Sequence, residues 1–214
     1  MRAAFRNIVT LVFLAAATTA QAHPHVWVTM QSEVVYAADG KAVGVRHAWK
    51  FDDMFSAFAV QGLEAKDKAK PTREELAPLA EVNVTSLKDF DYFTNATADG
   101  KKVTFKDPAK GDYWLDYGDA VLTLHFLLPF TEPVRAKELV LDIYDPQIFI
   151  DFALAKDKPI ALANAPSGCN ATATPPRQMT FQESKRLAEI GADQKNTEMA
   201  WGANFANKLK VVCP

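Results

Sequence analysis

The chain has 214 residues, with 24 Lys and Arg against 26 Asp and Glu and a formal charge of −2. That balance offers no basic footprint for nucleic acid or for anionic lipid, so neither is an expected partner. The length suffices to bury a substantial core within one large domain.

The first 22 residues read as an export signal. Arg2 and Arg6 supply a positive start, Ile8 to Ala17 an apolar run, and Ala20-Gln21-Ala22 an A-x-A cleavage site. The apolar run, about ten residues, falls short of the roughly 20 that a membrane span requires. The expectation is cleavage after Ala22, a periplasmic location, no stable membrane insertion afterwards, and one domain over residues 23–214. Removing Arg2 and Arg6 leaves 22 basic against 26 acidic residues, a charge of −4.

The mature chain would begin His23-Pro24-His25. From His25 to Tyr36 the residues alternate, with Val26, Val28, Met30, Val34 and Tyr36 on one face and His25, Trp27, Thr29, Gln31 and Glu33 on the other, the period of a half-buried strand. Asp39-Gly40 supplies a hairpin turn, and Val43 to Phe51 reads as the returning strand, with His47 sharing a face with Val43, Val45, Trp49 and Phe51. Asp52 or Asp53 then caps a short helix through Phe55 and Phe58 that Gly62 follows. Thr72-Arg73-Glu74-Glu75 matches a capping box for a second helix, which Pro78 is expected to kink or restart.

Asp91 to Thr97 and Lys101 to Lys106 flank Asp99-Gly100 as a second hairpin. Tyr113 to Asp116, a bend at Gly118-Asp119, and Ala120 to Phe130 follow, with Leu122, Leu124, Phe126, Leu128 and Phe130 on one face and His125 on the other. Glu138 to Ile143 is a strand, Asp145-Pro146 a break, and Gln147 to Ala155 a further strand on which Asp151 is a candidate internal acceptor. Residues 165–177 have loop composition. Thr180 to Glu183 is another capping box for a helix that Gly191 ends, and Trp201 and Phe205, four apart, would pack on the sheet if helical.

The fold class expected is α+β and mainly antiparallel β, a sheet or sandwich built of hairpins, with two or three short helices and a disulfide-tied C-terminal tail. Cys169 and Cys213 are the only cysteines, and in an exported chain they read as a disulfide. Closing that loop is worth roughly 4 kcal/mol in the chain-entropy picture. The Asn-x-Thr triplets at Asn83, Asn95 and Asn170 would matter only in a glycosylating host, and the signal looks bacterial.

His23, His25, His47 and His125 are all the histidines. Imidazole suits zinc, copper, nickel and cobalt. At a free N-terminus the amine of His23, with a pKa of about 7.7 to 8, and its ring can chelate one ion. The square-planar mode that uses deprotonated amides is excluded, because Pro24 has no amide N–H. The pair therefore reads as part of a site completed elsewhere, with Asp52, Asp53, His47 and His125 as the other candidate ligands. Pairing of the first hairpin would put His25 near Asp52 and Asp53. The bland alternatives are a core histidine at 47, a routine strand residue at 125 and helix caps at 52 and 53. Neither a nucleophile elbow nor a glycine-rich phosphate loop is present, so no enzyme class is supported.

His23-Pro24-His25-Val26, Trp49-Lys50-Phe51-Asp52-Asp53-Met54-Phe55-Ser56, and Tyr144-Asp145-Pro146 with Phe149-Ile150-Asp151-Phe152 resemble an exported bacterial family of unknown function. That family is described as the periplasmic component of an uncharacterised ABC-type transport system. The resemblance implies a periplasmic protein that works beside a membrane permease similar to nickel and cobalt exporters, hence an accessory protein that binds a divalent transition metal. The alternative is a solute-binding or interaction module of an ABC-type permease in which the histidines are incidental.

Overall fold

A computed structural model describes residues 25–189 and 201–214. His23, the expected cleavage site and Gly191 lie outside the described residues. β1 (Val26–Tyr36) and β2 (Ala42–Phe51) form the first hairpin in the expected register, with Val28 opposite Phe51 and Ser32 opposite His47. One residue departs from expectation. The register shifts at Ala42–Gly44, so that Ala42 is buried and Val43 is not. A bulge adds one residue and reverses which side chains face inward beyond it. Gly44 at this irregularity is close to the neighbouring strand, and a Cβ there would sit 2.7 Å from the Leu128 carbonyl oxygen.

α1 (Asp53–Ala59) is capped by Asp52, and α2 (Arg73–Leu87) carries the reciprocal capping box of Thr72 and Glu75. α2 does not restart at Pro78 but continues through it as one element. Pro78 is exposed, while Leu76, Ala80 and Val84, spaced at four, are buried where the helix lies against the fifth strand. Burial of that stripe outweighs one lost helical hydrogen bond.

A tight 3-10 turn at Lys88–Phe93 precedes β3 (Thr94–Ala98) and β4 (Lys101–Val103), the second hairpin. β5 (Tyr113–Gly118) and β6 (Val121–Val134) are joined through Asp119 and Ala120, both at positive φ, so the bend lies one residue later than expected. β7 (Glu138–Ile143) follows as expected, while β8 (Ile150–Leu154) begins later than Gln147 because Pro146 to Phe149 form a loop.

Two sheets face one another across one core. One has the order β5-β6-β2-β1-β8, with β9 (Ile160–Ala163) also on β1. The other has the order β10-β11-β7-β3-β4, where β10 is Asn170–Thr174 and β11 is Asn207–Val212. The pairings are antiparallel except that β8 and β9 run parallel to β1. Trp49, Phe126, Met30 and Leu128 on one sheet and Leu141, Ile143 and Leu209 on the other are fully buried.

β10 corrects the reading of residues 165–177 as loop. Its alternating Ala and Thr carry too little apolar contrast to announce a strand, and its place at the sheet edge comes from pairing with β11. The Cys169–Cys213 disulfide is formed and joins these two strands. α3 (Phe181–Glu189) starts at Thr180, whose Oγ1 accepts from the Glu183 N–H. Trp201 and Phe205 meet edge to face at 5.7 Å across a 3-10 turn at Gly202–Phe205.

Candidate functional site

The three segments quoted above for the family resemblance meet at one end of the sandwich. The backbone N–H of His25 donates to the Phe149 carbonyl at 2.8 Å, and the two rings lie 4.7 Å apart. Two residues further, Trp27 N–H donates to Asp52 Oδ2 at 2.9 Å while Asp52 N–H donates back to the Trp27 carbonyl. Asp52 Oδ1 accepts from the Phe55 N–H at 2.8 Å. Asp52 is therefore both the cap of α1 and the latch that holds the start of β1. His25 lies two residues beyond that latch, roughly 7 Å along the strand. Asp53 is exposed in the first turn of α1 beside it.

Removing the Asp52 carboxylate has a definite expected outcome. Asp52→Ala should cost about 2 kcal/mol in urea unfolding, since it loses a helix cap and a cross-strand acceptor together. Asp53→Ala, with no cap to lose, should fall within about 0.5 kcal/mol of the parent.

Asp145 holds the third segment. Its side chain is buried and accepts from three backbone N–H groups, Gln147 at 2.8 Å to Oδ1 and Phe149 and Ile150 at 3.0 and 2.9 Å to Oδ2. A carboxylate aligns three donors of one loop, which no neutral side chain of that size does. This loop carries Phe149 under His25. Asp145, expected as part of a break, is the internal acceptor, while Asp151, the candidate for that role, stands on an exposed position of β8, opposite Trp27.

His47 is placed elsewhere. It is fully buried between the sheets, Nδ1 2.9 Å from Ser32 Oγ and Nε2 3.4 Å from Thr94 Oγ1, with its ring near Trp49 and Phe126. Ser32, its partner on β1, is seven residues from His25, roughly 23 Å along an extended chain. Burial pushes the His47 imidazole down to about 3, so it is neutral at physiological pH.

His125 lies on the outer face of its sheet. Its ring stacks on Trp114 at 4.7 Å and 6°, and Nε2 is 3.2 Å from Asp116 Oδ2. Arg73 donates twice to the same carboxylate, at 2.6 and 3.0 Å, and Trp114 Nε1–H donates at 3.2 Å. Burial, and secondarily Arg73, lowers the His125 pKa against the opposing pull of Asp116. Through Ala48 and Gln31, its register partners on β2 and β1, His125 is six residues from the level of His25, roughly 20 Å along the strands.

The fold thus gathers His25, Asp52 and Asp53 at one corner and sends His47 to the core and His125 to a surface cluster. Among the described residues no group of three or more His, Cys, Asp or Glu is placed to hold an ion. Beside the corner opens a groove of about 410 Å³ between β1, the end of β2, α1, the C-terminal half of α2 and the 145–150 loop. Its walls are mainly apolar, among them Val28, Phe51, Phe55, Phe90, Phe93 and Phe149. Sequence reasoning missed it, because its walls come from five separate segments.

Among the described residues no helix is long and apolar enough to cross a membrane. Neither a curated protein nor a solved structure matches the chain. The profile of the protein family of unknown function DUF1007 matches residues 8–213, nearly the whole length, and the chain belongs to that family.

Proposed function

We propose that the protein is an exported accessory component of a transition-metal transport system, whose cargo is a divalent ion such as nickel, cobalt, zinc or copper. In this reading cleavage after Ala22 exposes the amine of His23, which together with the rings of His23 and His25 supplies nitrogen donors, and Asp53 offers an oxygen. Asp52 keeps its structural hydrogen bonds and sets the position of the terminus. A metal-transporting permease is the partner that the resemblance suggests. The single observation that carries the proposal is the corner itself. His25 is fixed by its backbone bond to Phe149 and by ring contact, beside a carboxylate corner that is latched to the same strand. His47 and His125 are left out of the ligand set on grounds of distance.

The test is equilibrium dialysis of protein secreted and processed through its own signal, followed by metal analysis. Uptake of one ion per chain is expected, weakening as the pH is lowered and protons compete for the nitrogen donors. His25→Ala, and separately a one-residue extension before His23, should each weaken binding at least roughly tenfold. Absence of stoichiometric uptake, or unchanged uptake in the doubly substituted His23→Ala, His25→Ala protein, would sink the proposal.

The second reading, an interaction module that binds no metal, is favoured by the groove and its apolar walls.

A further inference from the structure

The groove does not end at its rim. Exposed large apolar side chains flank its lining residues along both helices: Met54 and Phe58 on either side of Phe55 in α1, 78% and 71% exposed, and Val82 next to Asn83 in α2, 62% exposed, with Phe90 and Phe149 at the mouth. An apolar cavity alone would suit a small solute enclosed on most sides. Apolar side chains that extend over two helices beyond the cavity suit a larger body lying across it.

Charge selects among such bodies. Three of the four exposed apolar residues on the helical wall have an exposed acid next to them in the chain, Asp53 before Met54, Glu81 before Val82 and Asp89 before Phe90, while Phe58 lies between alanines. The basic residues of the two helices and the following turn are both engaged, Arg73 by Asp116 at 2.6 Å and Lys88 by Asp107 at 2.6 Å. Lys50, next to Phe51, is exposed on β2, where the alternation sends it to the sheet face away from the core. An acidic rim opposes docking on an anionic bilayer surface. It also opposes a symmetric pairing of two copies, which would set like charges against each other across the axis.

We infer that this face docks a cationic amphipathic segment of a partner protein, with apolar residues at helical spacing entering the groove and Lys or Arg meeting Glu81 and Asp89. This is a helix-in-groove contact, in which the anchors supply the affinity and the rim charges the selectivity and encounter rate. It is independent of metal uptake. Glu81, Val82 and Asp89 belong to no part of the proposed metal terminus, so failure of either idea is visible without the other.

The experiment places a benzophenone side chain at Val82 in the full chain, in cells that produce the protein through its own signal, and sequences the photo-adducts. The expected adduct is one segment of another protein, net positive, with apolar residues three and four apart. Its yield should fall roughly fivefold or more when Glu81→Lys and Asp89→Lys are combined. Both positions are exposed, so the charge-reversed protein should fold, and an unchanged circular dichroism spectrum confirms this. Adducts to phospholipid, to a second copy, to residues 1–24 of the same chain or to a segment without net positive charge would overturn the inference. So would a yield no higher than that of the same probe at Lys102 on β4, or one insensitive to the charge reversal.

Discussion

Asp145→Ala is expected to destabilise the protein by on the order of 3–5 kcal/mol in urea unfolding at pH 7. Three backbone N–H groups lose their acceptor at once, and each donor left without a partner costs about 1–3 kcal/mol, reduced where water can enter. Asp145→Asn should cost about half as much, since the amide keeps one accepting oxygen but turns a donor toward a donor. Asp151→Ala, on the exposed side of β8, should stay within about 0.5 kcal/mol. The damage should also spread. The tail crosses this loop so closely that a Cβ on Gly202 would lie 2.5 Å from the Asp145 carbonyl oxygen. Hydrogen exchange should therefore rise at Phe149 and Ile150 and at Gly202–Phe205 together, and the Val82 photo-adduct should weaken with them. A variant that unfolds like the parent would show that the loop is held by something other than this carboxylate.

What the sequence made legible follows from how local each signal is. The hairpin at Asp39-Gly40, the cap at Asp52 and the capping box at Thr72 each depend on residues within four positions of one another, and each is present as read. Helix α2 passes Pro78 because tertiary burial decides the matter, and local chemistry carries no record of that burial. β11 carries a period-two signal of its own: Asn207, Leu209 and Val211 are buried, while Lys208 and Lys210 pair outward with Asp142 and Glu138. The parallel pairing of β8 and β9 with β1 connects residues more than a hundred apart and leaves no local trace.

The candidate site divided in the same way. Hairpin register alone set His25 near Asp52, and that neighbourhood is present. Period two correctly put His47 on the apolar face and His125 on the opposite one. Their distance from His25 was implicit in the same register. The groove depends on how α2 and the 145–150 loop approach the end of the sandwich, and no spacing of residues encodes that.

His47 gives the second large effect, in the pH dependence of stability. Its contacts are two hydroxyls and the rings of Trp49 and Phe126, and burial pushes its folded-state pKa down to about 3. The unfolded value is near 6.5, so as pH falls the unfolded chain takes up the proton first. Stability from this group is therefore complete above about pH 6.5 and is lost toward pH 3, at about 1.4 kcal/mol per pH unit. Urea unfolding at pH 7 and pH 4.5 should differ by about 3 kcal/mol from His47 alone. His47→Leu should be less stable than the parent at pH 7, because the Ser32 hydroxyl loses its partner, yet should lack this pH-dependent component. The two stability curves should converge as the pH is lowered. Parallel curves would mean that the imidazole accepts its proton within the fold, and that Ser32 and Thr94 can rearrange around an imidazolium in the centre of the core.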